Sequence, residues 1–253
     1  MIDWVNAIAF VATVVFVPIV IFLVLRRNID FRRLEQHNDV AGFIYAVIGV
    51  IYGVLIGLIV IVVWERHMAI EQAVEDEANV AMQIYRDTIA FPSPFREALR
   101  DELRTYVMGV VEHEVQRTQD GRGSERAKLA LDSLWQTYSS FIPQDDNDRL
   151  WYAEILTRLN TLARSREIRI TGGKHRLPAI MWIVLGVGGA ITIGFAYFFG
   201  TSNTGAHILM IVGLSITVSL SSLLVWSLSH PYSGLGQVDL TPMRHAVELV
   251  GGR

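Results

Sequence analysis

Residues 40–64 read VAGFIYAVIGVIYGVLIGLIVIVVW, an apolar run without a charged side chain. A helix needs about 20 apolar residues to cross the hydrocarbon core of a bilayer, so this run predicts a membrane-spanning helix. Its glycines Gly42, Gly49, Gly53 and Gly57 are seven, four and four residues apart, and such spacings return to one face of a helix. The run therefore predicts a flat strip where another helix or a pore axis approaches the backbone.

The same helix is predicted to continue beyond the membrane. Glu65, Arg66 and His67 follow Trp64 directly, and the chain then runs without proline or glycine through the acidic stretch 71–77. Apolar residues recur there on one helical face, and the charged residues spread over the remaining surface. We expect one long helix that leaves the bilayer and enters water. If several copies surrounded an axis, its carboxylates would form stacked rings.

Other apolar blocks predict further spans in a chain that is 51% hydrophobic. The four predicted spans are Trp4 to Leu25, Val40 to Trp64, Ala179 to Phe199 and Ala206 to Leu228. The first is interpreted as a retained span, because Asp3 stands where a signal peptide carries a basic residue and no small-residue cleavage site follows. No strand pattern appears, so the predicted fold class is an all-α integral membrane protein.

The soluble segment between the second and third spans is predicted to be a bundle of four helices, the first of which continues the second span. Ser93 with Pro94, then Ser124, then Asp145 or Asp146 mark the starts of the other three. In the last of these, the side chains expected to face inward are Leu150, Trp151, Ile155, Leu159 and Leu162. The predicted organisation is therefore two transmembrane helices in 1–64, a soluble helical domain in 65–177, two transmembrane helices in 178–230 and a C-terminal tail in 231–253.

Several function classes are disfavoured by composition. The chain has no cysteine, its net charge is −3, and no basic patch is interleaved with aromatic residues, so we predict no nucleic-acid partner. No phosphate-binding glycine loop or nucleophile elbow is present, so an enzyme is not expected. His67 with Glu71, and the run Glu112 to Glu114, lack a specific metal-ligand spacing, so we predict neither a metal nor a cofactor.

The fourth span carries a stripe of serines. Ser215, Ser219, Ser222 and Ser229 are four, three and seven residues apart and so share one face. Such hydroxyls in a membrane usually bond a neighbouring helix or their own preceding carbonyls, which favours helix packing. A polar pathway is the alternative.

The distribution of basic residues gives a narrow preference for orientation. Four spans place the N-terminus, the soluble domain and the C-terminus on one side of the membrane. The first short connection carries Arg26, Arg27, Arg32 and Arg33, whereas the opposite side carries Arg66, Arg164, Arg166, Arg169, Lys174, Arg176 and Arg244. By the positive-inside rule this favours a cytoplasmic soluble domain in a multi-pass protein of the cell membrane.

The second span is the candidate pore-lining helix. A single subunit of four spans has little room for an aqueous path, whereas a ring of identical subunits lines one with a helix from each. The candidate pore-lining residues are Asp39, Gly42, Tyr45, Gly49, Tyr52, Gly53, Ile56, Gly57, Val60, Trp64 and Glu65. Rings of Asp39 and Glu65 near the two ends would favour cations, but Arg32, Arg33 and His37 crowd one mouth and would favour anions. The sign of the ion is therefore left open.

Several short stretches resemble a known family. They are His37 to Gly42, Ile48 to Gly53, Trp64 with Glu65, Glu77 to Asn79, Tyr106 with Glu114, Arg164 to Ile170 before Pro178, and His230 to Gly234. In this order, and over nearly the whole chain, they resemble the bestrophin-like family of four-span bacterial and plant proteins. The true bestrophins, which are more remotely similar, are pentameric ion channels whose second span lines the pore neck and whose helical domain is cytosolic.

The resemblance implies a homo-oligomeric ion channel, most simply a pentamer, whose partners are membrane lipid, inorganic ions and copies of itself. Two departures from the true bestrophins limit what it implies. Residues 231–234 after the fourth span lack the acidic calcium-binding cluster of the animal proteins, and the second span has Tyr45, Tyr52 and a glycine face in place of phenylalanine rings. The alternative function is a non-conducting, membrane-anchored scaffold whose soluble helices bind a partner and whose glycines only pack helices.

Overall fold

A computed structural model describes residues 4–28, 34–114, 123–174, 177–233 and 236–251 of the 253-residue chain. Arg32, Arg33, Arg176 and Gly234, together with the side chains of His113, Glu114 and Lys174, lie outside what it describes. The described residues are helical and contain no strand, which confirms the all-α class.

Eight α-helices follow one another along the described chain. They are α1 (Trp4–Asn28), α2 (Asn38–Asp87), α3 (Phe95–Gly109), α4 (Glu125–Ser139), α5 (Asp146–Lys174), α6 (Ala179–Phe195), α7 (Thr204–Leu228) and α8 (Thr241–Gly251). Four of the helical stretches are long and apolar enough to span a membrane, namely Trp4–Asn28, Glu35–Ala90, Ala179–Phe198 and Thr204–Leu228. The predicted continuous helix is confirmed, because α2 runs for 50 residues without a break.

The chain divides into two compact units. The membrane unit, residues 1–65 and 177–229, holds the membrane-spanning helices. Within it, α1 packs against α7, and the fully buried ring of Phe22 lies 4.3 Å from the ring of His207. His207 donates from Nε2 to the carbonyl oxygen of Ala196 at 2.9 Å. A second cluster joins α2, α6 and α7 through Ile59, Val63, Leu177, Leu185, Val225 and Leu228.

The other unit, residues 66–176 and 230–253, is the soluble unit and has a conventional apolar core. Helix α3 is strongly amphipathic and packs mainly against α4, burying Leu99, Leu103 and Tyr106 completely. Burying a side chain of this size contributes about 1.5–3 kcal/mol relative to leaving it in water. The soluble unit therefore has a core of its own, built from the helical periodicities of its sequence.

Two of the three predicted helix starts in the soluble segment are confirmed. Ser124 caps α4 as expected, since its hydroxyl accepts from the amide of Ala127, and Asp145 accepts from the amide of Asp148 at the start of α5. Helix α3, however, begins at Phe95 with Pro94 as the N-cap and without a side-chain cap. The inward assignment of Leu150 is wrong, because that side chain is 72% exposed.

The segment 231–253, predicted as a C-terminal tail, contains helix α8. It buries Met243, Ala246 and Val250 in the core of the soluble unit. Their spacings of three and four residues are the periodic signal of a packed helix, in a segment that is too short to stand out by length. The chain after the fourth span therefore contributes to the soluble core.

Candidate functional site

One face of α2 in the membrane unit is fixed to α6 through Tyr52. Its ring lies against Gly188 and Gly189, where an added Cβ would come within 2.5 Å of the ring and 2.9 Å of the hydroxyl, respectively. The hydroxyl donates to the carbonyl oxygen of Leu185 at 2.8 Å, and Tyr52 is only 7% exposed. The notch made by the two α6 glycines therefore determines which side of α2 faces its own subunit.

The glycine strip of α2 is open within the chain. A Cβ built on Gly49, Gly53 or Gly57 would meet no described atom within 4 Å, and one on Gly42 would meet only the ring of Phe199 at 3.9 Å. Gly53 and Gly57 are exposed, as are most residues of this span, whose buried residues are Tyr52, Ile59 and Val63. Among the residues described, no helix of the same subunit uses this strip for close packing.

The other predicted pore-lining residues divide into three groups. Tyr45 packs on the rings of Phe195 and Phe199, with centroids 5.9 and 5.5 Å away. Ile56 and Val60 are half-buried against the apolar cluster of α2, α6 and α7. The exposed ones are Asp39, Trp64 and Glu65. The structure thus leaves the glycines and the charged ends of the span accessible, and turns Tyr45 and Tyr52 toward α6.

The start of α2 is held by a side-chain clamp. Asn38 donates from Nδ2 to the carbonyl oxygen of Gly200, and the amide of Gly200 donates back to Oδ1 of Asn38, both at 2.8 Å. An added Cβ on Gly200 would lie 2.1 Å from the backbone nitrogen of Glu35, so only glycine fits there. The clamp fixes the end of the candidate helix next to Asp39.

In the soluble unit, α2 contributes one carboxylate to a buried ion pair. Glu77, with no exposed surface, accepts from Arg169 at both oxygens, Nε to Oε2 at 2.6 Å and Nη2 to Oε1 at 2.9 Å. Tyr106 also donates to Glu77 Oε1, at 2.6 Å. Burial first, and then the Glu77 carboxylate, raise the pKa of Tyr106 well above its ordinary value. Glu77 therefore cannot belong to a ring of solvated carboxylates.

The remaining acidic side chains of this segment differ from Glu77. Glu75 is exposed, whereas Asp76 accepts from Gln72 at 3.0 Å. His67 Nε2 lies 3.7 Å from Glu71 Oε1, and no third ligand joins them, since the described residues hold no group of three or more possible metal-binding side chains.

The serine stripe of α7 bonds mostly to its own helix. Ser219 donates to the carbonyl of Ile216, Ser222 to Val218 and Ser229 to Val225, at 2.6–2.9 Å. These bonds satisfy three of the four hydroxyls without a neighbouring helix or a water path, whereas the buried hydroxyl of Ser215 has no hydrogen-bond partner among the described residues. They favour the packing interpretation of the stripe over the polar pathway.

Comparison with known families decides the classification. The model of the Bestrophin-like domain matches residues 8–243, which is nearly the whole chain. The chain belongs to the Bestrophin-like family. This confirms the resemblance drawn from the short stretches of sequence. No match was found among curated proteins.

Solved structures agree with the Bestrophin-like fold. A single-substitution variant of a bacterial bestrophin homologue from Klebsiella pneumoniae superposes with a TM-score of 0.72 at 11% identity, covering 96% of this chain and 99% of that one. A second single-substitution variant of that homologue gives 0.72 at 12% identity over the same shares of the two chains. A variant of a protein described only as a membrane protein gives 0.71 at 11% identity, again over 96% and 99%. At such identities the likeness shows the fold alone.

Proposed function

We propose that this Bestrophin-like protein is a homo-oligomeric ion channel in which α2 of each subunit faces a central pore. The observation that carries the proposal is the open glycine strip, since Gly49, Gly53 and Gly57 lie on a membrane-spanning helix and a Cβ added to any of them would meet no described atom of another element within 4 Å. Glycines that contact no helix of their own chain are available to an axis or to a neighbouring copy. Family membership supports a channel over other uses of such a strip.

The proposed lining follows the predicted set with two exceptions. It comprises Asp39, Gly42, Gly49, Gly53, Ile56, Gly57, Val60, Trp64 and Glu65. Tyr52 is left out, because its ring fills the glycine notch of α6 and its hydroxyl is bonded to Leu185. Tyr45 is left out as well, because its ring packs on Phe195 and Phe199 of the same subunit. Ile56 and Val60 would supply an apolar constriction that gates by dewetting. Asp39 and Glu65 would place carboxylates near the two ends of the span.

The assembly and its placement are part of the same proposal. Five subunits around the axis would follow the arrangement of bestrophin channels. The soluble unit would lie in the cytoplasm and the spans in the cell membrane, in agreement with the narrow excess of basic residues on the side of that unit. The conducted substrate is an inorganic ion.

The test is current recorded from the purified oligomer in a planar bilayer with asymmetric salt. Gly53→Leu is compared with Gly213→Leu, which fills an equally open position on α7. A channel lined by α2 gives unitary currents in the parent protein that Gly53→Leu reduces or abolishes, while the oligomer persists and Gly213→Leu conducts normally.

Other outcomes contradict the proposal. If Gly53→Leu disperses the oligomer, the strip is a packing surface between subunits. If a folded, verified oligomer passes no current, the protein is better described as a membrane-anchored scaffold. Subunit number is counted by native mass spectrometry of the same preparation, for which five is expected.

A further inference from the structure

A recess opens at the end of α1 that leads into the first connection. It has a volume of about 530 Å³ and is lined by Val20, Leu23, Val24, Arg26, Arg27 and Thr204. The three aliphatic residues are 44–57% exposed on a helix that is long and apolar enough to span a membrane. The recess is therefore apolar along α1 and basic at its end.

The basic end lies at the level of lipid headgroups. The apolar part of α1, from Trp4 to Leu25, is about 33 Å long at 1.5 Å per residue, which matches a hydrocarbon core of about 30 Å. Arg26 and Arg27 follow that apolar part directly. With the apolar part across the hydrocarbon core, the two arginines come next to the layer that holds the lipid phosphate groups.

One of the two arginines is held in place by protein. Arg26 donates from Nη2 to the carbonyl oxygen of Ser202 at 3.2 Å, and its guanidinium carbon lies 5.8 Å from the ring centroid of the buried Phe22. These contacts fix its charge beside the recess at little further cost in side-chain entropy. Arg27, the next residue, is exposed and presents a second guanidinium.

The start of α7 adds to the positive potential. Thr204, the first residue of that helix, lines the recess, and the N-terminus of a helix carries a partial positive charge. None of the described residues that line the recess is acidic. The recess is thus complementary to a negative headgroup with an acyl chain below it.

We propose that this recess binds an anionic phospholipid, whose phosphate contacts Arg27 and Arg26 and whose acyl chain lies along Val20, Leu23 and Val24. Guanidinium groups form strong, often paired, hydrogen bonds to phosphate oxygens. A zwitterionic lipid has the same chain and phosphate, but its cationic headgroup is disfavoured by the two arginines. The site therefore selects lipid by headgroup charge.

The test is thermal unfolding of the detergent-solubilised oligomer, titrated separately with dioleoyl phosphatidylglycerol, dioleoyl phosphatidylcholine and inorganic phosphate. A ligand that binds only the folded protein raises the melting temperature with concentration. Arg27→Gln removes the accessible charge, and Val24→Trp fills the chain groove. Arg149→Gln is the matched control, an exposed arginine of the soluble unit that pairs with Asp146.

The expected result is stabilisation by phosphatidylglycerol well above that by phosphatidylcholine. Arg27→Gln should weaken apparent binding of phosphatidylglycerol by about fivefold, the usual contribution of one basic residue at a lipid surface. Val24→Trp should also weaken it, and Arg149→Gln should not. Equal stabilisation by both lipids, or an unchanged response in Arg27→Gln, overturns the proposal. An equal effect of inorganic phosphate that Val24→Trp does not alter also overturns it, in favour of a free-anion site. No current is measured, so the result is independent of whether the protein conducts.

Discussion

Asn38 and Gly200 are joined by two hydrogen bonds of 2.8 Å across 162 residues of sequence, with the side-chain amide pairing with the backbone of the glycine in both directions. Asn38 is the first residue of α2, and Gly200 follows the end of the third span. The clamp therefore fixes where the candidate pore helix begins relative to the connection between the last two spans.

Asn38→Ala should destabilise the membrane unit because it removes both bonds. At about 0.5–1.5 kcal/mol for each bond, the expected loss is about 1–3 kcal/mol of unfolding free energy. Urea unfolding in detergent measures it, with Gln36→Ala as control, since Gln36 is exposed two residues earlier. Equal stability of the two variants would show that the clamp contributes nothing.

The glycine notch on α6 gives a matched pair of substitutions. Gly188→Ala places a Cβ 2.5 Å from the ring of Tyr52, whereas Gly186→Ala adds one in open space on the same helix. Overpacking of this kind costs about 1–3 kcal/mol, so Gly188→Ala should lower the melting temperature by several degrees and Gly186→Ala should not. Identical melting curves would mean that Tyr52 does not depend on the notch.

Removing one partner of the buried ion pair should strongly lower the stability of the soluble unit. Arg169→Met leaves the Glu77 carboxylate buried without its main partner, and we expect a loss of about 3–5 kcal/mol. The double variant Glu77→Gln with Arg169→Met should recover most of it, because the amide is neutral and still accepts from Tyr106. Urea unfolding of both variants is the measurement. A double variant as unstable as the single one contradicts this account.

The raised pKa of Tyr106 predicts a loss of stability in alkali. Below the ordinary tyrosine pKa of 10.0 both the folded and unfolded chains keep the phenol proton. Above it the unfolded chain releases the proton while the folded chain retains it, so stability falls by up to about 1.4 kcal/mol per pH unit. Tyr106→Phe should remove this part of the slope between pH 10 and 11.5, while the other tyrosines contribute equally to both proteins. Parallel stability curves for parent and variant would contradict the prediction.

The sequence predicted those parts of the fold that depend on local signals. The spans and the continuity of α2 follow from the length of an apolar run and the absence of helix breakers after Trp64. Glu77 pairs with Arg169, which is 92 residues away in the chain. From the sequence alone, the Glu77 carboxylate cannot be distinguished from the other charged side chains on a solvated helix face. Only the packing of α2 against α5 shows that Glu77 is buried in an ion pair and not solvated.

The sequence predicted the candidate site only in part. Helical periodicity places Gly53 and Tyr52 about 100° apart around α2, but it does not say which of them faces the subunit's own helices. Which side of α2 faces the subunit depends on the notch of Gly188 and Gly189 that holds the ring of Tyr52. The spacing of the two glycines does not reveal that Tyr52 is their partner. The orientation of the glycine strip toward an axis remains a prediction.

Neutralising Glu65 tests whether the end of the second span borders an ion path. Glu65 is exposed at the end of the membrane unit, and a ring of such carboxylates attracts cations and repels anions. Glu65→Gln should therefore shift the reversal potential in asymmetric potassium chloride toward weaker cation preference. Asp146→Asn serves as control, because its side chain is 94% exposed in the soluble unit and removes the same charge. Since the screening length at 0.15 M salt is about 8 Å, a carboxylate away from the path has little effect on selectivity. A reversal potential that is unchanged in Glu65→Gln, with normal current, would place Glu65 outside the pathway.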